Sequence, residues 1–296
     1  MALHLSDAAQ TARLLPYPEL VDALRVACLE YARGEIRSPD RLAVPLEGGG
    51  VMLSMPACAS DLAVHKLVNV CPANRERGLS TIHGQVTACD AATGTPLFVL
   101  DGPTVTARRT AAVSLLGIQT LLGTPREVAL LGTGKQAEAH AQALAAIFPG
   151  VRIGVQGSHL ESAQAFCARL GGSLFPVDGV PETAEVVITA TTSRTPVYTL
   201  PARPGRLVVA VGAFTPEAAE IAPQTVRGSR LYVDDLVGAR HEAGDLLQAG
   251  VDWADVHSLA GALTTPPSGE EPRLFKTVGC AAWDLAACRV ARGLRG

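Results

Sequence analysis

The chain has 296 residues, 48% of them apolar, 18% charged and 4% aromatic, with a formal net charge of −3. That length allows two domains and that apolar share a sizeable core. The near-neutral charge and scarce aromatic residues exclude the basic, base-stacking surface of a nucleic-acid binder.

No apolar run reaches the length of a membrane span, and the start of the chain lacks the basic residues and apolar stretch of a signal peptide. A cytoplasmic protein with neither a membrane nor a nucleic-acid partner is therefore expected. The seven cysteines are odd in number and form no Cys-x-x-Cys pair, and the seven histidines are scattered. This reads as reduced thiols and no metal site.

In chain order, residues 18–34 form an amphipathic helix, with Leu20, Leu24, Ala27, Cys28 and Tyr31 at helical spacing and Gly34 as its stop. Short apolar runs at 42–46, 51–55, 62–68, 84–89 and 96–100 predict an antiparallel or mixed sheet. Lys66 stands inside one of these runs, Ala63-Val64-His65-Lys66-Leu67-Val68. A lysine so placed either snorkels outward or serves a site. An alanine-rich helix is predicted over 106–122. It carries Arg109, whose guanidinium is suited to holding a carboxylate by two parallel hydrogen bonds.

From Val128 onward, strands at 128–131, 152–155, 186–189, 207–211 and 230–233 alternate with helices at 135–147, 159–170 and 240–248. That alternation predicts an α/β fold with a doubly wound parallel sheet of Rossmann type, beside a second α+β domain. Residues 264–273 read as a loop. Residues 279–294 read as an apolar helix that returns to the first domain.

The first strand of the alternating half ends in Gly132-Thr133-Gly134-Lys135-Gln136-Ala137, a Gly-x-Gly-x-x-Ala turn opening a helix. Gly132 permits the tight turn, Gly134 a close approach of backbone to pyrophosphate, and Ala137 close helix–strand packing. After the second strand, where an NAD-selective site places an acid, the chain reads Gln156-Gly157-Ser158-His159. No carboxylate is there to repel a 2′-phosphate, and Ser158 and His159 can hydrogen-bond one. NADPH is thus favoured, with NADH as the alternative. Thr191 and Thr192 follow a later strand and can lie along the nucleotide.

Met55-Pro56, Lys66 with Asn74, Gly78-Leu79-Ser80-Thr81, Asp90-Ala91-Ala92-Thr93-Gly94, Asp101-Gly102-Pro103, Thr106 to Ala112 with Arg109-Thr110 inside it, the Gly132 turn, Gly212-Ala213-Phe214-Thr215-Pro216 and Thr277-Val278-Gly279 follow one another along the chain. In that order and spacing they resemble the ornithine cyclodeaminase/mu-crystallin family. The resemblance implies a substrate-binding and dimerisation domain from 1–118 with 280–296, an NAD(P)-binding domain from 119–279, and a homodimer. By the same resemblance Arg109 binds the substrate α-carboxylate and Lys66 contacts the substrate and aids proton transfer. Arg41 and Thr81 line the substrate pocket, while Thr110, Val211, Gly212 and Thr277 join the cofactor site.

Phe214 is a departure: the cyclodeaminases of the family carry an aspartate there to handle the substrate amine. A phenyl ring suits the face of a cyclic substrate, as in the family's ketimine reductases. The expected activity is therefore NAD(P)H-dependent reduction of Δ1-pyrroline-2-carboxylate and/or Δ1-piperideine-2-carboxylate to L-proline or L-pipecolate, in a pocket without a carboxylate beside its two cations. Ornithine cyclodeaminase, alanine dehydrogenase and a non-catalytic, mu-crystallin-like ligand-binding protein are the alternatives.

Overall fold

A computed structural model describes residues 3–295. The chain divides into two compact units, Met1–Arg109 with Cys280–Gly296, and Thr110–Gly279. The division falls inside one helix, at Arg109/Thr110, ahead of the boundary expected after residue 118.

The first unit contains β1 (His4–Leu5), α1 (Ala8–Arg13), α2 (Tyr17–Ala32), β2 (Leu42–Leu46), β3 (Gly50–Cys58), β4 (Leu62–Val70), β5 (Ile82–Asp90), β6 (Pro96–Asp101) and the start of α3 (Gly102–Leu121). Its sheet runs β1-β6-β5-β4-β3-β2. β1 is parallel to β6, and every other pairing is antiparallel. The C-terminal helix, Ala281–Gly293, packs against α2, β3, β4 and β5. Its small side chains allow that approach: Ala281, Ala282, Ala286, Ala287 and Ala291 are all buried.

Two local features set the register of this unit's functional side chains. In β4 the alternation of a half-covered strand buries Leu62, Val64, Lys66 and Val68 on one face. Lys66 therefore occupies a position that apolar residues hold elsewhere in the strand. His65 points to the other face, where its Nε2 lies 2.8 Å from Ser54 Oγ. α3 starts where Asp101 Oδ1 accepts hydrogen bonds from Thr104 N and Thr104 Oγ. Gly102 must be glycine: a Cβ there would fall 2.6 Å from the Gly84 carbonyl carbon. This fixed start places Arg109 two turns along the helix.

The second unit contains β7 (Glu127–Leu131), α4 (Lys135–Ile147), β8 (Arg152–Gln156), α5 (Leu160–Leu170), β9 (Leu174–Pro176), β10 (Val186–Thr189), β11 (Leu207–Ala210), α6 (Pro223–Arg227), β12 (Arg230–Val233), α7 (Leu236–Glu242), α8 (Gly244–Ala249), β13 (Val256–Ser258), α9 (Leu259–Thr264) and β14 (Arg273–Lys276). Its sheet runs β13-β12-β14-β11-β10-β7-β8-β9, with every pairing parallel. β7, β10, β11 and β14 are buried at every residue, as strands covered on both faces must be. β7 has β8 on one side and β10 on the other, so the strand order reverses beside it. The expected doubly wound parallel sheet is present.

Two expectations change. The helix predicted over 240–248 is two helices, α7 and α8. The helix is interrupted at Ala243, and at Gly244, the first residue of α8, a Cβ would meet the Ala218 carbonyl oxygen at 2.0 Å. The loop predicted over 264–273 gives way at Arg273 to β14, which lies between β11 and β12.

Candidate active site

The first unit buries a cluster of three charged side chains. Lys66 Nζ lies 2.7 Å from Asp284 Oδ2 of the C-terminal helix, and Arg109 Nε lies 3.4 Å from Asp284 Oδ1. Lys66 is 2% exposed, Arg109 6% and Asp284 0%. The expected pair of cations is thus together, but the expectation of no carboxylate beside them is corrected. Asp284 bridges both. It stands in an alanine-rich helix, and its presence in that apolar segment was the only sequence signal for it.

Arg109 is held by one nitrogen only. Among the described residues its two terminal nitrogens meet no hydrogen-bond acceptor, so the fork that can grip a carboxylate is left over. Its neighbour Arg108 is committed: Nε donates to the Leu15 carbonyl at 2.7 Å, and the guanidinium stacks 3.9 Å from the centre of the Tyr17 ring.

Burial is the main force that brings the Lys66 ammonium down to about 8 from its ordinary 10.5. Asp284 opposes that fall, while the charges of Arg109 and Arg41 assist it. Arg41, half-buried before β2, is therefore within electrostatic reach of the cluster. Thr81 is half-buried just before β5, and its carbonyl accepts from Cys71 N at 2.8 Å.

The second unit gathers the residues expected at the cofactor. Because its strands are parallel, their carboxyl ends share one edge of the sheet. Gly132, Thr133, Gly134, Lys135, Gln136 and Ala137 follow β7. Ser158 and His159 follow β8, and Thr191 and Thr192 follow β10. Val211, Gly212 and Phe214 follow β11, and Thr277 follows β14. Thr110 lies on α3, at the unit's first residue.

The turn after β7 fits a dinucleotide. Gly132 has φ +125°, and a Cβ there would fall 2.5 Å from the Ala190 carbonyl oxygen. Gly134, by contrast, faces open space within 4 Å. No side chain caps α4, so the amides of its first turn are left for a phosphate. Ala137 is fully buried.

A buried carboxylate missed by sequence reasoning shapes the same edge. Glu220 accepts from Thr189 Oγ at 3.0 Å, Thr191 N and Thr191 Oγ at 2.7 Å each, and Gly212 N at 2.5 Å. It thereby ties the loop after β10 to the loop after β11. Asp234 does the same after β14, accepting from Thr277 Oγ, Val278 N and Gly279 N. The Thr277 hydroxyl is committed to that contact. Ser158 Oγ and His159 Nδ1 are exposed and 2.9 Å apart. Phe214 is 48% exposed and brings no carboxylate to the edge. Among the described residues no group of histidine, cysteine and acidic side chains could hold a metal ion.

The chain is 63% identical to Delta(1)-pyrroline-2-carboxylate reductase 1 of Burkholderia multivorans over 291 residues, covering 97% of this chain and 94% of that protein. It is equally similar, over 292 residues and with the same coverage, to a Delta(1)-pyrroline-2-carboxylate/Delta(1)-piperideine-2-carboxylate reductase of Azospirillum brasilense. A Delta(1)-pyrroline-2-carboxylate reductase of Thermococcus litoralis, solved in complex with NADH and L-proline, superposes with a TM-score of 0.87 at 26% identity, covering 98% of this chain and 97% of that one. The model of the ornithine cyclodeaminase/mu-crystallin family matches residues 4–293. With that match over nearly its whole length, the chain belongs to the ornithine cyclodeaminase/mu-crystallin family.

Proposed function

We propose that this protein is an NAD(P)H-dependent imine reductase that converts Δ1-pyrroline-2-carboxylate, Δ1-piperideine-2-carboxylate or both to L-proline and L-pipecolate. The observation that carries this reading is the 63% identity to pyrroline-2-carboxylate reductases across almost the entire chain. The buried Lys66–Asp284–Arg109 cluster supports it, because reduction of such an acid needs a carboxylate grip beside a proton source.

The bound reduced nicotinamide would supply a hydride to C2 of the imine. Arg109 holds the substrate carboxylate through its two unengaged nitrogens and so fixes the ring. Lys66 Nζ gives a proton to the ring nitrogen, which makes C2 electrophilic and leaves an amine as product. An ammonium brought down to about 8 is charged at neutral pH yet releases its proton readily. Within the unit Met1–Arg109 with Cys280–Gly296, Arg41 and Thr81 join Lys66 and Arg109 in binding the substrate; Phe214, of the unit Thr110–Gly279, offers an apolar ring suited to a cyclic substrate. Within the unit Thr110–Gly279, the turn Gly132 to Ala137, together with Thr110, Ser158, His159, Thr191, Thr192, Val211, Gly212 and Thr277, binds the dinucleotide.

We assign NADPH as the preferred cofactor, because Gly157-Ser158-His159, directly after β8, holds no acid to repel a 2′-phosphate and two exposed hydrogen-bonding side chains stand there. We place the enzyme in the cytoplasm, a reducing compartment consistent with seven cysteines of which none, among the described residues, is in a disulfide. We read it as a homodimer formed through the unit Met1–Arg109 with Cys280–Gly296. Strand β2 ends that unit's sheet with an exposed edge, where Leu42 is 64% and Val44 38% exposed.

The test is a substrate panel: Δ1-pyrroline-2-carboxylate, Δ1-piperideine-2-carboxylate, and pyruvate with ammonia, each with NADPH or NADH, and ornithine with NAD+. Oxidation of the reduced cofactor with the cyclic imines alone is the expected result. Release of ammonia from ornithine with formation of proline would overturn the reading.

A further inference from the structure

We propose that Asp284 is a positioning residue for this reduction: its buried carboxylate holds the Lys66 ammonium and the Arg109 guanidinium in one arrangement and so determines the pH range over which Lys66 carries the proton it donates. The inference rests on the imine reductase reading for its chemistry, but its geometry stands alone.

A carboxylate at 0% exposure is placed within 2.7 Å of one cation and 3.4 Å of a second. Two cations and one anion leave a single net positive charge, which one substrate carboxylate balances. Without Asp284, two cations would lie buried near each other, and the lysine is the one able to shed its charge.

The groups that face Lys66 are few. Asp284 reaches it from the C-terminal helix, Arg109 from α3, and Arg41 from the segment before β2. Its partners in the sheet, Met55 of β3 and Val86 of β5, are apolar. Cys288, one turn beyond Asp284, is a thiol pushed well above its ordinary range, first by burial and then by the Asp284 charge, so it stays neutral. Asp284 is thus the one anion in this set that opposes loss of the Lys66 proton.

The composition of the chain makes the test direct. It has three lysines, Lys66, Lys135 and Lys276. Protein carrying 13C at lysine Cε gives three signals, and the one lost in K66R is Lys66. In the unsubstituted protein that signal titrates near 8. In D284N its midpoint falls by about one unit or more, because a neighbouring opposite charge is worth about that much. D284E retains the charge and restores the midpoint, while kcat falls because Nζ is displaced. The alkaline limb of kcat/KM follows the midpoint in each variant.

A Lys66 midpoint in D284N equal to that of the unsubstituted protein would overturn the proposal. Should D284N not fold, the unsubstituted protein decides: the Asp284 13Cγ signal must move as Lys66 gives up its proton, and a signal flat across that range would overturn it. The titration needs no turnover, so it stands or fails apart from the substrate panel.

Discussion

Lys66 with Asp284 in the first unit, and Lys276 with Asp245 in the second, are ion pairs of nearly equal length, 2.7 and 2.8 Å, and all four side chains are almost fully buried. Their surroundings differ. Asp245 Oδ1 accepts from Glu220 N and Ile221 N, so that pair is locked to the backbone that carries the Glu220 network. Asp284 instead shares its charge with Arg109, whose terminal nitrogens are left without acceptors among the described residues. Burial of an ion pair is thus no mark of a reaction site by itself. What distinguishes the first pair is the donor capacity that the protein leaves unused.

The largest effect expected from breaking this contrast is on stability. Asp245→Asn leaves Lys276 buried without its counter-ion and should cost about 3–5 kcal/mol in chemical denaturation. A loss below about 1 kcal/mol, the range of a solvent-exposed pair, would contradict the structural role given to Asp245. Arg109→Ala removes the unused fork and should lower kcat/KM for the cyclic imine about 10²–10³-fold, while binding of the dinucleotide is unchanged. Unaltered kinetics would take Arg109 out of the pocket.

The Lys66 pair also predicts a pH dependence. With its ammonium at about 8, kcat/KM should fall about tenfold per unit above that pH, because only the charged form donates the proton. Stability moves the other way. Between about 8 and the ordinary 10.5, the unfolded chain binds the proton that the native state has already lost, so this group makes stability rise with pH in that window. A kcat/KM profile flat to pH 10 would remove Lys66 as the donor. The smallest effect lies in the second unit: Ser158→Asp should weaken NADPH relative to NADH about tenfold through repulsion of the 2′-phosphate. An unchanged ratio would put cofactor choice elsewhere.

The sequence made the alternating half legible because its strands are continuous apolar runs and its helices are periodic. β10, β12 and α4 have the bounds that the residue pattern implies. β14 was hidden because its four residues begin with Arg273 and end with Lys276. Those charges are satisfied only in three dimensions: Arg273 donates to the carbonyls of Leu121, Ser268 and Gly269, and Lys276 meets Asp245. The same limit hid Asp284 and Glu220. A buried acid in one segment is explained by cations or amides from segments far away in the chain, and local pattern carries no record of them. Lys66 was visible because its partners' absence from the strand was itself the anomaly.

The measurement that tests the central claim most directly is a crystal structure with oxidised cofactor and L-proline bound. The account predicts the proline carboxylate on the terminal nitrogens of Arg109 and the ring nitrogen facing Lys66 Nζ. Proline bound with its carboxylate away from Arg109, and Lys66 engaged by Asp284 alone, would contradict it.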